Sequence, residues 1–200
     1  MSTAPSAGRA SRGRPDAPFY VGTTQPGAVG WTRIGIAAVV AAASAVAGAM
    51  GLVQLPFVLA IVVFCVGFAA IAWMRMSTRF IVDDRGVTVS LGGFWKRPTW
   101  PVEDFAGVQL REIPAETLGV TVGGYGMRRG LVLPAERDQV RAIGGRHVRT
   151  STERENYLLL VTRPGTMVEI FGKGMWHYMI SPVDAEATAA AIDQAIRARR

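Results

Sequence analysis

A glycine- and arginine-rich segment near the middle of the chain carries the side chains best suited to hold an anion. Gly123, Gly124 and Gly126 precede Arg128 and Arg129 in the run GGYGMRR. Successive glycines can turn their backbone N–H groups toward one point, and two guanidinium groups can add charge-assisted hydrogen bonds to a phosphate or a lipid headgroup. The competing interpretation is a β-turn followed by two solvated arginines. A nucleotide site is not indicated, because the nucleotide fingerprint requires a different glycine spacing between a strand and a helix.

A second group of residues combines basic and aromatic side chains close to a long apolar run. Arg75, Arg79, Lys96 and Arg97, together with Trp95, are placed to rest on a membrane surface. Each Lys or Arg near anionic lipid contributes about 1 kcal/mol to such an association. The alternative is that the cations are ordinary flanks of a membrane segment and that the tryptophans belong to a core.

The remaining candidates for catalysis or metal binding have simpler explanations. Ser181, His177 and Asp184 can be drawn as a triad, but they cluster where a strand meets a helix, and the chain has no Gly-x-Ser-x-Gly elbow. His147 and His177 lack a second His or Cys at metal-ligand spacing. We therefore expect no enzymatic activity, no metal and no cofactor.

An uncharged run over residues 34–74 is the strongest structural signal in the sequence. As one helix it would be roughly 62 Å long, about twice the hydrocarbon thickness of a bilayer. Gly51 and Pro56 interrupt it near its middle. The run therefore predicts a transmembrane hairpin over residues 31–76, with helices over about 34–53 and 55–74.

The charges on either side of this hairpin predict its orientation, since Lys and Arg accumulate on the cytoplasmic side of membrane helices. Basic residues lie before the first helix and after the second, and the connecting turn is uncharged. We expect a multi-pass protein of the inner membrane with both termini in the cytoplasm. The net charge of +7 is spread along the chain, so nucleic-acid binding is not indicated. The single cysteine, Cys65, permits no intrachain disulfide, which fits a reducing compartment.

Small residues follow one another along the first membrane helix. Ala41, Ser44, Gly48 and Gly51 are three or four positions apart, a spacing that permits close helix packing. The hairpin is expected to pack on itself, on a second copy of the chain, or on another membrane protein.

Outside the hairpin the chain divides into a tail and one domain. Residues 1–30 hold too few large apolar groups to offset the entropy of ordering, which predicts a disordered tail. Residues 77–200 have the length of one small cytoplasmic domain. Alternating and β-branched runs predict strands there, whereas residues 114–155 are expected to be mostly loop with one or two short strands. The predicted strands cover residues 80–82, 87–91, 94–100, 105–113, 157–163, 166–171 and 176–180.

The end of the chain predicts an amphipathic helix that closes over the sheet. Ser181 has the character of an N-cap, and Pro182 would occupy the first helical position. Ala185, Ala189, Ile192 and Ile196 then form an apolar stripe.

Short motifs in this order resemble bacterial membrane proteins that carry a pleckstrin-homology-like domain behind two helices. Residues 79–89 (RFIVDDRGVTV) resemble the opening hairpin of such domains, residues 100–108 (WPVEDFAGV) their strand entry, and residues 180–184 (ISPVD) their final strand-to-helix junction. The glycine-arginine segment is similar to that of actinobacterial members. The resemblance implies an α+β fold of about seven antiparallel strands in a partly open barrel, capped by a C-terminal helix.

These observations lead to a functional expectation. We expect a membrane-anchored, non-enzymatic binding or scaffold protein whose domain binds a protein segment or anionic lipid. The alternative is an accessory subunit of a transporter or cell-envelope complex, assembled through the hairpin. A membrane enzyme fits least, because the membrane segments contain no charged residue.

Overall fold

The computed structural model describes residues 18–144 and 148–199. Residues 1–17 of the predicted tail, and His147, lie outside the described residues. Within them, the chain forms a helical hairpin and a sheet-rich domain that ends in a helix. The helices are α1 (Ala28–Ala49), α2 (Leu55–Met76), α3 (Ala115–Val122) and α4 (Ala185–Ala198). The strands are β1 (Tyr20–Thr23), β2 (Thr78–Asp83), β3 (Gly86–Leu91), β4 (Trp95–Lys96), β5 (Trp100–Pro101), β6 (Phe105–Ile113), β7 (Gly126–Val132), β8 (Val140–Ala142), β9 (Glu155–Val161), β10 (Gly165–Gly172) and β11 (Trp176–Ile180).

The two predicted apolar helices are present, and both are long and apolar enough to cross a membrane. Each has 22 residues, which corresponds to about 33 Å. The predicted bounds of α1 are wrong at both ends, since it begins at Ala28 and includes Arg33. It ends before residue 53 because Gly51 adopts the left-handed conformation, with φ at +72°.

Glycines on α1 allow the two helices of the hairpin to approach closely. A Cβ atom at Gly48 would lie 2.7 Å from Val58 Cγ2, and one at Gly30 would lie 2.3 Å from the sulfur of Met76. The small residue Gly48, which the sequence offered as a packing position, is therefore used inside the hairpin itself.

The first sheet has the order β1-β2-β3-β4, with β5 paired to β3, and all its pairs are antiparallel. The predicted hairpin of β2 and β3 is confirmed, and Asp83 Oδ1 closes its turn by accepting the backbone N–H groups of Arg85 and Gly86. The strand β1 corrects the prediction of disorder up to residue 30. This segment is ordered because it pairs with β2, and Gly22 lets it lie directly on the ring of Phe80.

The second sheet has the order β7-β9-β11-β10-β6-β8. Residues 157–163 and 166–171 were predicted as strands about a Pro-Gly turn, and β9 and β10 do flank that turn. They are not neighbours, because β11 inserts between them and pairs with β9 in parallel. The expected seven antiparallel strands of a partly open barrel are therefore wrong in detail. The described residues form eleven strands in two sheets that do not close into a barrel, and the predicted strand 94–100 is split into β4 and β5.

The middle of the chain differs most from its prediction. Residues 114–155 contain α3, β7 and β8 instead of a long loop. The helix packs Leu118 and Val122 against the second sheet and ends at Gly123, which has φ at +69°. It was missed because eight residues give too short an apolar period to separate a helix from a loop.

The main core lies between the two sheets and under α4. Ala189, Ile192 and Ile196 of the predicted stripe are buried in it. The predicted cap is wrong: Asp184, not Ser181, begins the helix and accepts the N–H of Ala187 at 2.9 Å.

Candidate functional site

Backbone and side-chain hydrogen bonds fix the base of the hairpin to the sheet domain. Thr24 Oγ1 donates to the carbonyl oxygen of Met76 at 2.9 Å, and Thr24 is 1% exposed. On another side of the same helix end, the N–H of Gly92 donates to the carbonyl oxygen of Met74 at 3.0 Å. These two bonds fix the end of α2 to the first sheet.

A cleft opens where this hairpin base meets β3 and β7. It consists of two adjoining cavities of about 280 and 270 Å³ that share Arg75 and Met127. We call it the junction cleft. Its polar and flexible walls are Arg33, Arg75, Arg97, Tyr125, Met127 and Arg128, and Ile71 and Met74 of α2 complete its apolar side.

The junction cleft is positively charged, and the described residues place no counter-charge in its walls. Four of its lining residues are arginines, and no Asp or Glu is among the lining residues. Arg33, Arg75 and Arg97 are exposed, and none of them forms an ion pair with a carboxylate of the described residues. An arrangement of like charges at one opening attracts anions and is suited to bind a phosphate group.

Arg128 does not sit in an open glycine loop, as the sequence suggested. It belongs to β7, and its guanidinium group donates to the carbonyl oxygen of Val122 at the C-terminal end of α3. The same group covers the glycines, since a Cβ atom at Gly123 would lie 2.7 Å from Arg128 Nη2 and one at Gly124 would lie 3.4 Å from Nη1. Arg128 therefore neutralises the negative end of a helix, while Gly126 lines the junction cleft.

Arg129 points to the other face of the strand, because successive side chains alternate across a sheet. Its guanidinium carbon lies 5.3 Å from the centre of the Trp176 ring, within the range of a cation–π contact. It borders a third cavity of about 410 Å³ between the two sheets, next to Trp100 and Tyr178, and Arg128 lines this cavity as well. Burial, with a smaller contribution from Asp104, raises the pKa of Tyr178. The two arginines thus line one cavity, but their guanidinium groups have different partners, Val122 for Arg128 and Trp176 for Arg129.

Four exposed aromatic side chains, Trp31, Trp73, Phe94 and Trp95, lie near the hairpin base, and we call them the aromatic rim. Trp31 and Trp73 contact each other edge to face with ring centres 5.5 Å apart. Phe94 ends the β3–β4 turn and is 71% exposed, whereas Trp95 begins β4, lines the junction cleft and is 60% exposed. The sequence left open whether its tryptophans are surface or core, and the structure divides them, because Trp100 is buried.

The other predicted membrane-surface residues are exposed as well. Lys96 and Arg97 continue from Trp95 along the same segment, and Arg79 lies on β2 outside the walls of the junction cleft. Arg33, which sequence reasoning treated only as a helix flank, is a cleft residue. The sequence feature that could have indicated this position is the spacing of Arg33, Ile36 and Val40, which places them on one face of the helix.

A second group of charged residues lies on the opposite side of the second sheet, and we call it the buried cluster. Arg111 Nη1 and Glu169 Oε1 are 3.4 Å apart, and both side chains are 2% exposed. Glu169 also accepts the hydroxyl of Tyr157 at 2.7 Å and the amide of Gln109 at 2.7 Å. Burial, followed by the charge of Glu169, raises the pKa of Tyr157 far above its usual value.

His177 lies at the edge of the buried cluster and is part of its packing. Its Nδ1 accepts the N–H of Gly172 at 2.9 Å, and its Nε2 lies 3.2 Å from a carboxylate oxygen of Glu155. Burial lowers the pKa of His177, Arg149 lowers it further, and Glu155 opposes both effects.

The three residues that could be drawn as a triad are engaged separately. His177 is held by Gly172 and Glu155, and Asp184 caps α4. Ser181 Oγ accepts the N–H of Thr162 at 2.7 Å. The geometry gives each of them its own structural partner.

Comparison with known proteins finds no match for this chain among protein-family models, curated proteins or solved structures.

Proposed function

We propose that this chain is a membrane-anchored, non-enzymatic binding protein whose domain is held against anionic lipid by the junction cleft and the aromatic rim. In this proposal the hairpin spans the plasma membrane of a bacterial cell, and both termini are cytoplasmic. The observation that carries it is a set of exposed arginines that have no carboxylate partner among residues 18–144 and 148–199, near exposed aromatic rings, at one end of an apolar hairpin.

The chemistry of this end of the molecule supports a position at the membrane interface. Tryptophan rings favour the headgroup region of a bilayer, and Trp31 and Trp73 lie at the helix ends where that region would be. Three exposed arginines at about 1 kcal/mol each are enough to bias the domain toward an anionic surface. The bonds from Thr24 and Gly92 would keep the domain close to the helices.

The pleckstrin-homology-like identity of the domain remains part of the proposal. Two sheets that enclose one core, with a C-terminal helix packed on it, support this likeness. The parallel pairing of β9 and β11 departs from it.

The two alternatives have weaker support. The cavity beside Arg129 could receive a protein segment, but Arg129 already contacts Trp176. The accessory-subunit hypothesis began from the small-residue face of α1, and at Gly48 that face packs against Val58 of the same hairpin.

Membrane topology is tested by labelling single cysteines with a membrane-impermeant maleimide. In the full chain carrying Cys65→Ser, Leu52→Cys probes the exposed turn between the helices and Asp84→Cys probes the exposed β2–β3 turn. We expect Leu52→Cys to react on intact cells and Asp84→Cys to react only after permeabilisation. The reverse pattern would overturn the orientation, and release of the protein by alkaline carbonate would overturn the anchoring.

Spin labels in proteoliposomes that contain phosphatidylglycerol test whether the domain lies against the membrane surface, which we call its seating. A label at Phe94→Cys should be accessible to oxygen and protected from a water-soluble nickel chelate. A label at Asp84→Cys, about 20 Å along β2 and its turn from the hairpin base, should show the opposite. Combining Arg75→Gln with Arg97→Gln should make position 94 more accessible to nickel, whereas Arg79→Gln, outside the cleft, is the charge-matched control. Equal nickel accessibility at positions 94 and 84 would refute the seating.

A further inference from the structure

We propose that one anionic phospholipid binds along the hairpin, with its phosphate in the junction cleft and an acyl chain in a groove between α1 and α2. This inference rests on the proposed function to the extent that the hairpin must lie in a bilayer. It goes beyond that function by assigning a bound lipid molecule to a particular site, where surface association alone requires none.

The groove is an apolar channel of about 460 Å³ on one side of the hairpin. Its walls include Ile36, Val40, Ile61, Phe64 and Phe68, and its surface is almost entirely apolar. Phe68 also lines the junction cleft, so the apolar groove and the charged cleft adjoin at this residue. A ligand that fills both must have an apolar chain joined to an anionic head.

The sequence of α2 also places an apolar stretch next to a charged end. Ile61, Phe68 and Arg75 are seven residues apart and therefore lie on one face of the helix. This face presents apolar side chains to the groove and ends in the arginine that joins the two cavities of the cleft.

On α1 the same arrangement runs in the opposite chain direction, with the charged residue before the apolar ones. Arg33, Ile36 and Val40 share a face, with Arg33 in the cleft and the other two in the groove. Both helices thus place an arginine where the groove meets the domain.

The dimensions match one leaflet of a bilayer. The rise from Ile61 to Phe68 is about 10 Å, and the rise from Ile61 to Arg75 is about 21 Å. The hydrocarbon of one leaflet is about 15 Å deep, half of the bilayer core. A lipid with its phosphate at Arg75 would therefore extend its chain along the groove toward the middle of the membrane.

The charge of the cleft selects the headgroup. Arg33 and Arg75 are exposed and can each donate two parallel hydrogen bonds to a phosphodiester. Arg128 is held by Val122 and adds a fixed positive charge to the same cavity. A zwitterionic lipid would bring its own cation next to these arginines, so a lipid with a net negative charge is favoured.

The part of the site that would bind the headgroup is tested with the full-length protein in proteoliposomes that contain lipids spin-labelled on the acyl chain. We expect the motionally restricted component to favour labelled phosphatidylglycerol over labelled phosphatidylcholine. Combining Arg33→Gln and Arg75→Gln should reduce this preference about thirtyfold, since two contacts of about 1 kcal/mol each are lost. Arg79→Gln, an exposed arginine outside the cleft, should leave the preference unchanged.

The part of the site that would hold the acyl chain is tested by filling the groove with a larger side chain. Ala60 lines the groove, whereas Ala70 is exposed on α2 away from its walls. Ala60→Phe should remove most of the restricted phosphatidylglycerol signal, and Ala70→Phe should retain it.

The outcomes separate this inference from the proposed function. An inserted protein with no phosphatidylglycerol preference, or with a preference that survives both the arginine changes and Ala60→Phe, would overturn the lipid site alone. A protein released by alkaline carbonate would overturn the membrane anchoring as well. A cleft that captures a protein in an arginine-dependent way, without lipid preference, would also reject the lipid assignment.

Discussion

Two groups of arginines in this molecule have opposite environments. Arg111 in the buried cluster is 2% exposed and is paired with Glu169. Arg33 and Arg75 in the junction cleft are exposed and have no described carboxylate partner. The described part of the chain supplies the counter-charge of Arg111 but supplies none for Arg33 and Arg75.

This difference indicates which charges hold the fold and which are available for binding. Removing one partner of a buried pair leaves the other charge desolvated and uncompensated, so the cost appears in stability. Removing an unpaired, solvated charge relieves repulsion and leaves the fold unchanged. Substitutions in the two groups should therefore separate stability from lipid binding.

The largest effect is expected when the buried cluster loses its acid. Glu169→Ala should lower the free energy of unfolding by about 3–5 kcal/mol, because Arg111 would be left charged and buried. Chemical unfolding of the full chain in nanodiscs, followed by near-ultraviolet circular dichroism, measures this loss. Glu112→Ala is the control, since Glu112 is exposed and, within the described part of the chain, accepts a hydrogen bond from the hydroxyl of Thr166 alone. Similar losses for the two variants would contradict the comparison.

A smaller decrease in the free energy of unfolding is expected when one hydroxyl group of the buried cluster is removed. Tyr157→Phe keeps the ring but deletes the 2.7 Å hydrogen bond to Glu169. We expect a destabilisation of about 1.5–2 kcal/mol, typical of a hydrogen bond to a charged group. The same unfolding experiment applies, with Tyr125→Phe in the junction cleft as the matched change. An effect of Tyr125→Phe as large as that of Tyr157→Phe would show that the two regions do not differ in this respect.

The buried cluster should also make stability depend on pH through His177. Its pKa is lowered in the folded state, first by burial and then by Arg149, while Glu155 partly opposes the shift. The unfolded chain therefore binds a proton near pH 6.5 that the folded chain accepts only at lower pH. Stability should fall as pH drops below about 6.5, by up to about 1 kcal/mol per pH unit, until the folded pKa is reached. Unfolding curves between pH 7.5 and pH 5 measure this slope.

The control for this dependence is His177→Asn, whose side-chain oxygen can still accept the N–H of Gly172. The variant should lose most of the slope below pH 6.5. A variant that keeps the wild-type slope would assign the pH dependence to other groups.

The smallest effect on stability is expected in the junction cleft. Arg97→Gln should change the free energy of unfolding by no more than about 0.5 kcal/mol, because the side chain is exposed and has no ion-pair partner among the described residues. The same substitution at Arg111 should cost several kcal/mol. A comparable loss at both positions would remove the distinction between the two groups.

Part of this architecture could be predicted from local sequence. The uncharged run gave two long apolar helices because hydrophobicity is a property of consecutive residues. The Asp83–Gly86 turn and the apolar stripe of α4 were predictable for the same reason, since their patterns lie within a few residues. The exposure of Trp95 could not be predicted in this way, because composition left surface and core positions open, and it is the structure that shows the side chain exposed.

The candidate site could not be predicted in the same way. Arg128 and Arg129 are adjacent in sequence, but strand alternation sends one to the end of α3 and the other to Trp176. Arg33 and Arg75 are far apart in sequence, and they line one cleft because the hairpin folds back and is fixed to the domain by Thr24.

The sequence by itself determined the apolar hairpin, the basic flanks and most of the strands, because short-range patterns of apolar and charged residues encode them. The tertiary structure decided which strands are neighbours, which arginines are paired and which remain unpaired around a cleft. The physical reason is that β11 reaches its place between β9 and β10, and Glu169 reaches Arg111, only through contacts between distant parts of the chain.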